Sequence, residues 1–198
     1  MRDAARESDS VLSRRSVLMA APVLLATARA ACAQEGWPPV FEAGRSQFTV
    51  VRPRAAMPQL RLQDIGGRDV LVTAKPGRIT LVNFWATWCA ACRLDLPALA
   101  NLAGSRPDRL DIVAICTDTK DLAKIRKFLG SLAVQNLACF ADTYGASAEA
   151  SKAMFPLVGM PITYLVGASG RVEGYIAGAP DWLSPAGARL LQFYREQG

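Results

Sequence analysis

The chain has 198 residues, with 23 Lys+Arg, 17 Asp+Glu, five Cys, no His and a net charge of +6. Its length suits one domain with an appendage, and 51% hydrophobic with 20% charged residues suits a packed core rather than a disordered chain. The absence of His excludes a Ser-His-Asp triad, a Cys-His pair, His-ligated zinc and an imidazole pH switch; five Cys point instead to thiol chemistry, structural disulfides or an all-thiolate metal site.

Ser13-Arg14-Arg15-Ser16 leads into an apolar run from Val17 to Ala28, followed by small residues up to Ala33. A charged start, a short apolar stretch and an A-x-A exit make residues 1–33 an export signal. The run is too short for a spanning helix, which needs about 20 residues. The adjacent arginines resemble a twin-arginine (Tat) signal, with Sec as the alternative route. Cleavage after Ala33 is favoured over Ala30; an uncleaved signal would act as a membrane anchor. A lipoprotein site at Cys32 is disfavoured by Arg29 three positions earlier. Removing five basic and three acidic residues with the signal leaves 18 and 14, a net charge of +4, and four Cys. An even number of Cys suits an oxidising compartment such as the periplasm. The mild charge, with no basic cluster interleaved with aromatics, argues against nucleic-acid binding.

Residues 34–56, with Trp37-Pro38-Pro39 and Arg52-Pro53-Arg54, read as a linker, and 57–198 as the domain. Gln59 to Leu62 and Val70 to Val72 read as short strands around the turn signal Gly66-Gly67. Ile79 to Trp85 and Asp111 to Cys116 are near-continuous apolar runs, as in a parallel sheet covered on both faces. A helix is expected from Cys89 to about Ala103, and another over Asp121 to Ala133 with Leu122, Ile125, Phe128 and Leu129 on one face. Leu137 to Ala141 reads as a strand and Ala146 to Met154 as a short helix. Ile162 to Val166 and Arg171 to Ala177 form a hairpin about Gly167-Ala168-Ser169-Gly170. Ser184 and Pro185 are N-cap and N1 of a last helix ending near Gln197. The alternation predicts a three-layer α/β fold, a central mixed sheet flanked by helices.

Trp88-Cys89-Ala90-Ala91-Cys92 sits where a buried strand passes into a helix. A helix N-terminus offers unpaired N–H donors and partial positive charge, which favour thiolate over thiol. A resolving thiol one turn away closes the disulfide locally, the arrangement that thiol–disulfide exchange requires. Zinc would need a second nearby pair, and Cys116 and Cys139 stand 23 residues apart in strand candidates. No metal and no cofactor are expected.

Leu81-Val82-Asn83-Phe84-Trp85-Ala86-Thr87-Trp88-Cys89-Ala90-Ala91-Cys92-Arg93 resembles the thioredoxin superfamily, and most of all its exported TlpA-like/ResA-like branch. Gly159-Met160-Pro161-Ile162-Thr163 resembles the cis-proline loop of that family, and Gly174 to Trp182 resembles the C-terminal part of the TlpA-like branch. The resemblance implies a thioredoxin-like fold with Cys89 attacking and Cys92 resolving. It implies a cis Pro161 that exposes a backbone edge to the substrate, Met160 tuning the sulfurs, and Trp88 on the docking surface with core packing as its alternative. Asn83 stands where ordinary thioredoxins carry a buried Asp. Asp95, one turn after Cys92, stands where the branch often has Glu; it either tunes and deprotonates Cys92 or is a solvated helix residue. Cys116 and Cys139 are either two buried small apolar side chains or a structural disulfide. Thr87-Trp88-Cys89 is one residue short of the T-x-x-C pattern of peroxidases.

The implied function is an exported protein-disulfide reductase, a monomer recharged by a membrane donor of thiols. TlpA-like relatives reduce Sco-type copper chaperones and the oxidase copper subunit, whereas the CcmG/ResA group reduces apocytochrome c. That group carries an acid after the cis-proline where this chain has Ile162, so copper-site assembly is favoured. A copper-binding chaperone module is the alternative of another class, but the C-x-x-x-C and distant His of Sco-type sites are missing.

Overall fold

The computed structural model describes residues 36–43, 46–105, 107–153 and 156–197, so the export signal expected at 1–33 lies outside the described residues. In chain order the first elements are β1 (Glu42–Ala43), β2 (Ser46–Val50), β3 (Leu60–Asp64), β4 (Asp69–Val72), β5 (Ile79–Trp85), α1 (Cys92–Gly104) and β6 (Leu110–Cys116). There follow α2 (Leu122–Ser131), β7 (Ala138–Ala141), α3 (Ala146–Ala153), β8 (Ile162–Val166), β9 (Val172–Ala177) and α4 (Pro185–Glu196).

Every residue of β5 is buried. Ile79, Leu81 and Trp85 feed one core cluster, while Val82 and Phe84 feed the other. A strand sealed on both faces belongs at the centre, with a layer on each side. β6 runs parallel to β5, from Leu110 opposite Ile79 to Cys116 opposite Trp85. β8 runs antiparallel on the other side, with Thr163 opposite Asn83. Among the described residues the strands form one mixed sheet in the order β1-β2-β9-β8-β5-β6-β7-β3-β4. α1, α2 and α4 cover one face through Leu96, Leu99, Ile125, Leu129, Leu190 and Tyr194. Ala150 of α3 packs in the cluster on the other. This is the expected three-layer α/β architecture.

Local chemistry explains the joins. The Asp121 carboxylate accepts hydrogen bonds from Ala123 N–H (2.9 Å) and Lys124 N–H (3.1 Å), capping α2. Ser184 caps α4 by accepting from Gly187 N–H at 3.2 Å, with Pro185 opening the helix. The β3–β4 turn closes because Asp64 Oδ1 accepts from Gly66 and Arg68 N–H, each at 2.9 Å.

Two expectations need correction, and one alternative is decided. First, residues 34–56 are not a plain linker: compact packing begins at Trp37. β2 adds an antiparallel strand beside β9, with Phe48 opposite Ile176. Phe41 packs on Trp182 with ring centroids 6.0 Å apart. Arg54 reaches the buried Glu173 carboxylate at 3.3 Å. Second, the helix expected from Cys89 begins at Cys92, because Arg93 N–H donates to the Ala90 carbonyl (3.2 Å) three residues back rather than to Cys89 four back, so the chain opens in tight turns. Of the two readings left open for Cys116 and Cys139, the structure shows two buried free thiols and not a disulfide. The β6–β7 register pairs Cys139 with Ala114, two residues before Cys116. Strand rise and spacing put such a diagonal pair roughly 8 Å apart, beyond the ~7 Å that a disulfide can span. Burial pushes each thiol up to about 12, with Asp118 adding to the shift at Cys116, so both stay protonated at neutral pH.

Candidate active site

Cys89 and Cys92 are joined in a disulfide with Cα atoms 5.3 Å apart, both almost wholly buried. β5 delivers the chain to the loop before Cys89, and Cys92 is the first residue of α1. Ala91 has no capping side chain, which leaves the first N–H groups of the helix for sulfur. Cys92 N–H points at Cys89 Sγ from 3.1 Å. With the bridge reduced, that donor and the helix dipole favour a thiolate on Cys89.

Beneath the pair lies a buried polar cluster. Asp95 is 0% exposed, which excludes the solvated-helix reading of this residue. It sits on α1 one turn from Cys92, on the same face of the helix. Asn83 points from β5 to the α1 side of the sheet. Its Nδ2 donates to Asp95 Oδ2 (2.7 Å) and to Thr163 Oγ1 (2.9 Å). Burial lifts the Asp95 carboxyl to about 7, an effect that the Asn83 hydrogen bond opposes but does not cancel. Asn83 Oδ1 and Asp95 Oδ1 are both buried without a donor. A buried carboxylate next to an orphaned acceptor is costly, so this carboxyl takes up and releases its proton near neutral pH rather than near pH 4. Thr163 was not singled out from the sequence; the signal for it is the cross-strand pairing with Asn83, visible once the β5–β8 register is known.

The remaining residues line the mouth of the site. The Met160–Pro161 peptide is cis. β8 starts at Ile162 opposite Phe84, so Pro161 enters beside the end of β5, where the loop to Cys89 begins. Met160 is half-buried against the core cluster that contains both cysteines. Trp88 is 72% exposed, so it does not pack in the core. A further group, unmarked in the sequence, is Asp118, just past β6. It accepts from Thr87 N–H (2.9 Å) and Thr87 Oγ1 (2.6 Å), fixing the loop that precedes Cys89. The Cys116 thiol also donates to it, at 3.2 Å. Burial pulls the Asp118 carboxyl upward, but these hydrogen bonds and Lys124 outweigh it and hold the group below the usual carboxylate range. The structure thus brings Cys89, Cys92, Asp95 and Asn83 together and sets Met160, Pro161 and Trp88 around them; Cys116 is tied to the site through Asp118, and Cys139 packs in the apolar cluster behind it.

A disulfide at a helix start, a cis-proline entering alongside and a mixed sheet beneath define a thioredoxin-like site. The chain belongs to the AhpC/TSA family, whose model matches residues 53–175. It is 33% identical over 124 residues to the thiol:disulfide interchange protein HelX of Rhodobacter capsulatus, covering 61% of this chain and 65% of HelX. It is 40% identical over 97 residues to the thiol:disulfide interchange protein CycY of Rhizobium leguminosarum, 48% of each. It is 26% identical over 122 residues to the thiol-disulfide oxidoreductase ResA of Bacillus subtilis, 61% of this chain and 65% of ResA. The chain therefore spans less than two thirds of the length of each of these relatives. Among solved structures, a thioredoxin-family thiol:disulfide interchange protein from Chlorobium tepidum superposes with a TM-score of 0.61 at 18% identity. The superposition covers 73% of this chain and 99% of that one, and shows a shared fold. The relatives agree with the TlpA-like/ResA-like resemblance of the cysteine motif.

Proposed function

We propose that the chain is an exported thiol–disulfide oxidoreductase that reduces partner protein disulfides in the periplasm through Cys89 and Cys92. The observation that carries this reading is a disulfide at an uncapped helix N-terminus with a buried carboxyl one turn below that exchanges its proton near neutral pH. In the reduced form the Cys89 thiolate attacks one sulfur of the partner disulfide. A Cys89–partner bond forms, and the other partner sulfur leaves as thiolate. Asp95, as carboxylate, takes the Cys92 proton. The Cys92 thiolate then attacks Cys89 Sγ, closing the Cys89–Cys92 bond and releasing the first partner sulfur. Two electrons pass to the partner, whose thiolates take up protons from Asp95 and water. A membrane donor of thiols restores the dithiol.

The partners this reading favours are a Sco-type copper chaperone and the oxidase copper subunit. Ile162, buried in the core, offers no carboxylate where apocytochrome c reductants carry one. Reduction of apocytochrome c is the second reading, and the similarity to ResA supports it. Cys92→Ser tests the reading by removing the resolving thiol. A mixed disulfide through Cys89 should then persist in the periplasm, and mass spectrometry would name the partner. No trapped partner together with stoichiometric copper binding would favour a copper module instead.

A further inference from the structure

The dithiol stands over the C-terminal end of β5, and the sheet order sets β8 on one side of it and β6 on the other. These flanks differ in chemistry. On the β8 side the chain arrives through Pro156-Leu157-Val158-Gly159-Met160-Pro161, which has no charged residue, and Val158 is 64% exposed. On the β6 side the chain leaves through the 117–121 loop into α2, where Lys120, Lys124 and Lys127 are exposed, as is Arg93 on α1.

Contacts tie two of these cations, Lys124 and Arg93, to the elements that carry the dithiol, and Lys120 and Lys127 flank Lys124 in sequence. Asp118, which holds Thr87 two residues before Cys89, lies 3.9 Å from Lys124 Nζ. The Arg93 guanidinium, adjacent in sequence to Cys92, sits 5.2 Å from the centre of the Phe128 ring, one turn along α2 from Lys124. The acids on this flank are engaged: Asp118 accepts from Thr87 and Cys116, Asp121 caps α2, and Asp142, past β7, accepts from Ala146 and Ser147 N–H. The four cations exceed these three carboxylates, and the exchange chemistry uses none of the four.

We propose that Arg93, Lys120, Lys124 and Lys127 form a docking strip for an acidic segment. The substrate class is then a polypeptide disulfide with Asp or Glu close to one side of the attacked cysteine and uncharged residues on the other. The proposal rests on the oxidoreductase reading above. Single exposed ion pairs add little affinity. A one-signed strip beside a reactive group acts instead on encounter, raising association about 10-fold or more at low salt and losing that gain as salt rises.

The test uses three disulfide peptides of one sequence that differ only in two residues beside the attacked cysteine: Asp, Asn or Lys. Stopped-flow reduction by the wild-type dithiol should favour the Asp over the Lys peptide by about 10-fold at low salt, and the ratio should collapse in 0.5 M salt, where screening lengths fall to a few ångström (~4 Å). The double variant K120E/K124E should reverse the ratio, which is internal to each protein and so independent of its overall rate. Reduction of the Asn peptide reads the oxidoreductase function by itself. An unreactive Ser analogue of the Asp peptide, titrated against the oxidised chain, should shift the amide resonances of Lys120 and Lys124 whether or not turnover occurs. A wild-type ratio within 2-fold, an unchanged ratio in K120E/K124E, or no amide shifts would overturn the proposal. So would equal peptide rates with salt-sensitive binding to phosphatidylglycerol vesicles, which would assign the strip to a membrane surface.

Discussion

Asp95 couples the chemistry of the site to the stability of the fold. Its carboxyl is raised to about 7, against ~3.9 in an unfolded chain. Between those values the folded chain keeps a proton that the unfolded chain has released. The stability contribution is therefore complete below about pH 4 and declines as pH rises through 7, the reverse of an ion-paired Asp. In the oxidised protein, the unfolding free energy of wild type relative to Asp95→Asn should fall between pH 4 and 8 by up to roughly 4 kcal/mol; denaturant titrations at several pH values measure it, and a flat difference would contradict the burial argument. The same variant should slow resolution of a Cys89 mixed disulfide, because no carboxylate remains to accept the Cys92 proton. Thr163→Val strands one N–H of Asn83 and costs about 1–2 kcal/mol. With Asn83 less firmly held against Asp95, the Asp95 titration followed by NMR should move upward, and Thr163→Ser should restore it. The cysteine pair and Asp95 were legible in the sequence because their spacing along one helix sets their relation. Thr163 and Asp118 were not, because they reach the site through strand register: Thr163 lies 80 residues from Asn83 and Asp118 lies 31 residues from Thr87.

At the scale of elements, β5 and β6 announced themselves as apolar runs because both of their faces are buried. β2 did not: it is short, it carries Ser, Gln and Thr, and prolines surround it, so its half-buried alternation was hidden in a stretch that reads as irregular. Its place in the sheet is nonetheless fixed by close packing. A Cβ on Gly174 of β9 would overlap the Phe48 ring and the Thr49 carbonyl across the β2–β9 pair. Gly174→Ala should therefore cost about 2 kcal/mol by overpacking, seen as a lower urea midpoint; an unchanged midpoint would mean that β2 contributes little to the fold. The loop between β5 and α1 is held from outside by Asp118. Asp118→Asn should weaken both Thr87 hydrogen bonds and destabilise the chain by about 1–2 kcal/mol, while leaving the helix donors that face Cys89 in place.

At the scale of the whole molecule, the sheet brings three distant stretches to one edge: the β5–α1 loop with the cysteines, the cis-proline entry to β8, and the loop after β6 with its cations. The helix start supplies the donor to Cys89, and in the proposed exchange Asp95, held by Asn83, is the group that takes the Cys92 proton. No helix of the described residues is long and apolar enough to cross a membrane. Whether this arrangement gives or takes electrons is set by the potential of the Cys89–Cys92 couple, and ~30 mV corresponds to about 1.4 kcal/mol. Equilibration with glutathione buffers, read by the fraction of Cys89–Cys92 disulfide, measures it directly. A reductase requires a value near that of thioredoxin, about −270 mV; a value near that of the oxidant DsbA, about −120 mV, would contradict the proposed direction of electron flow.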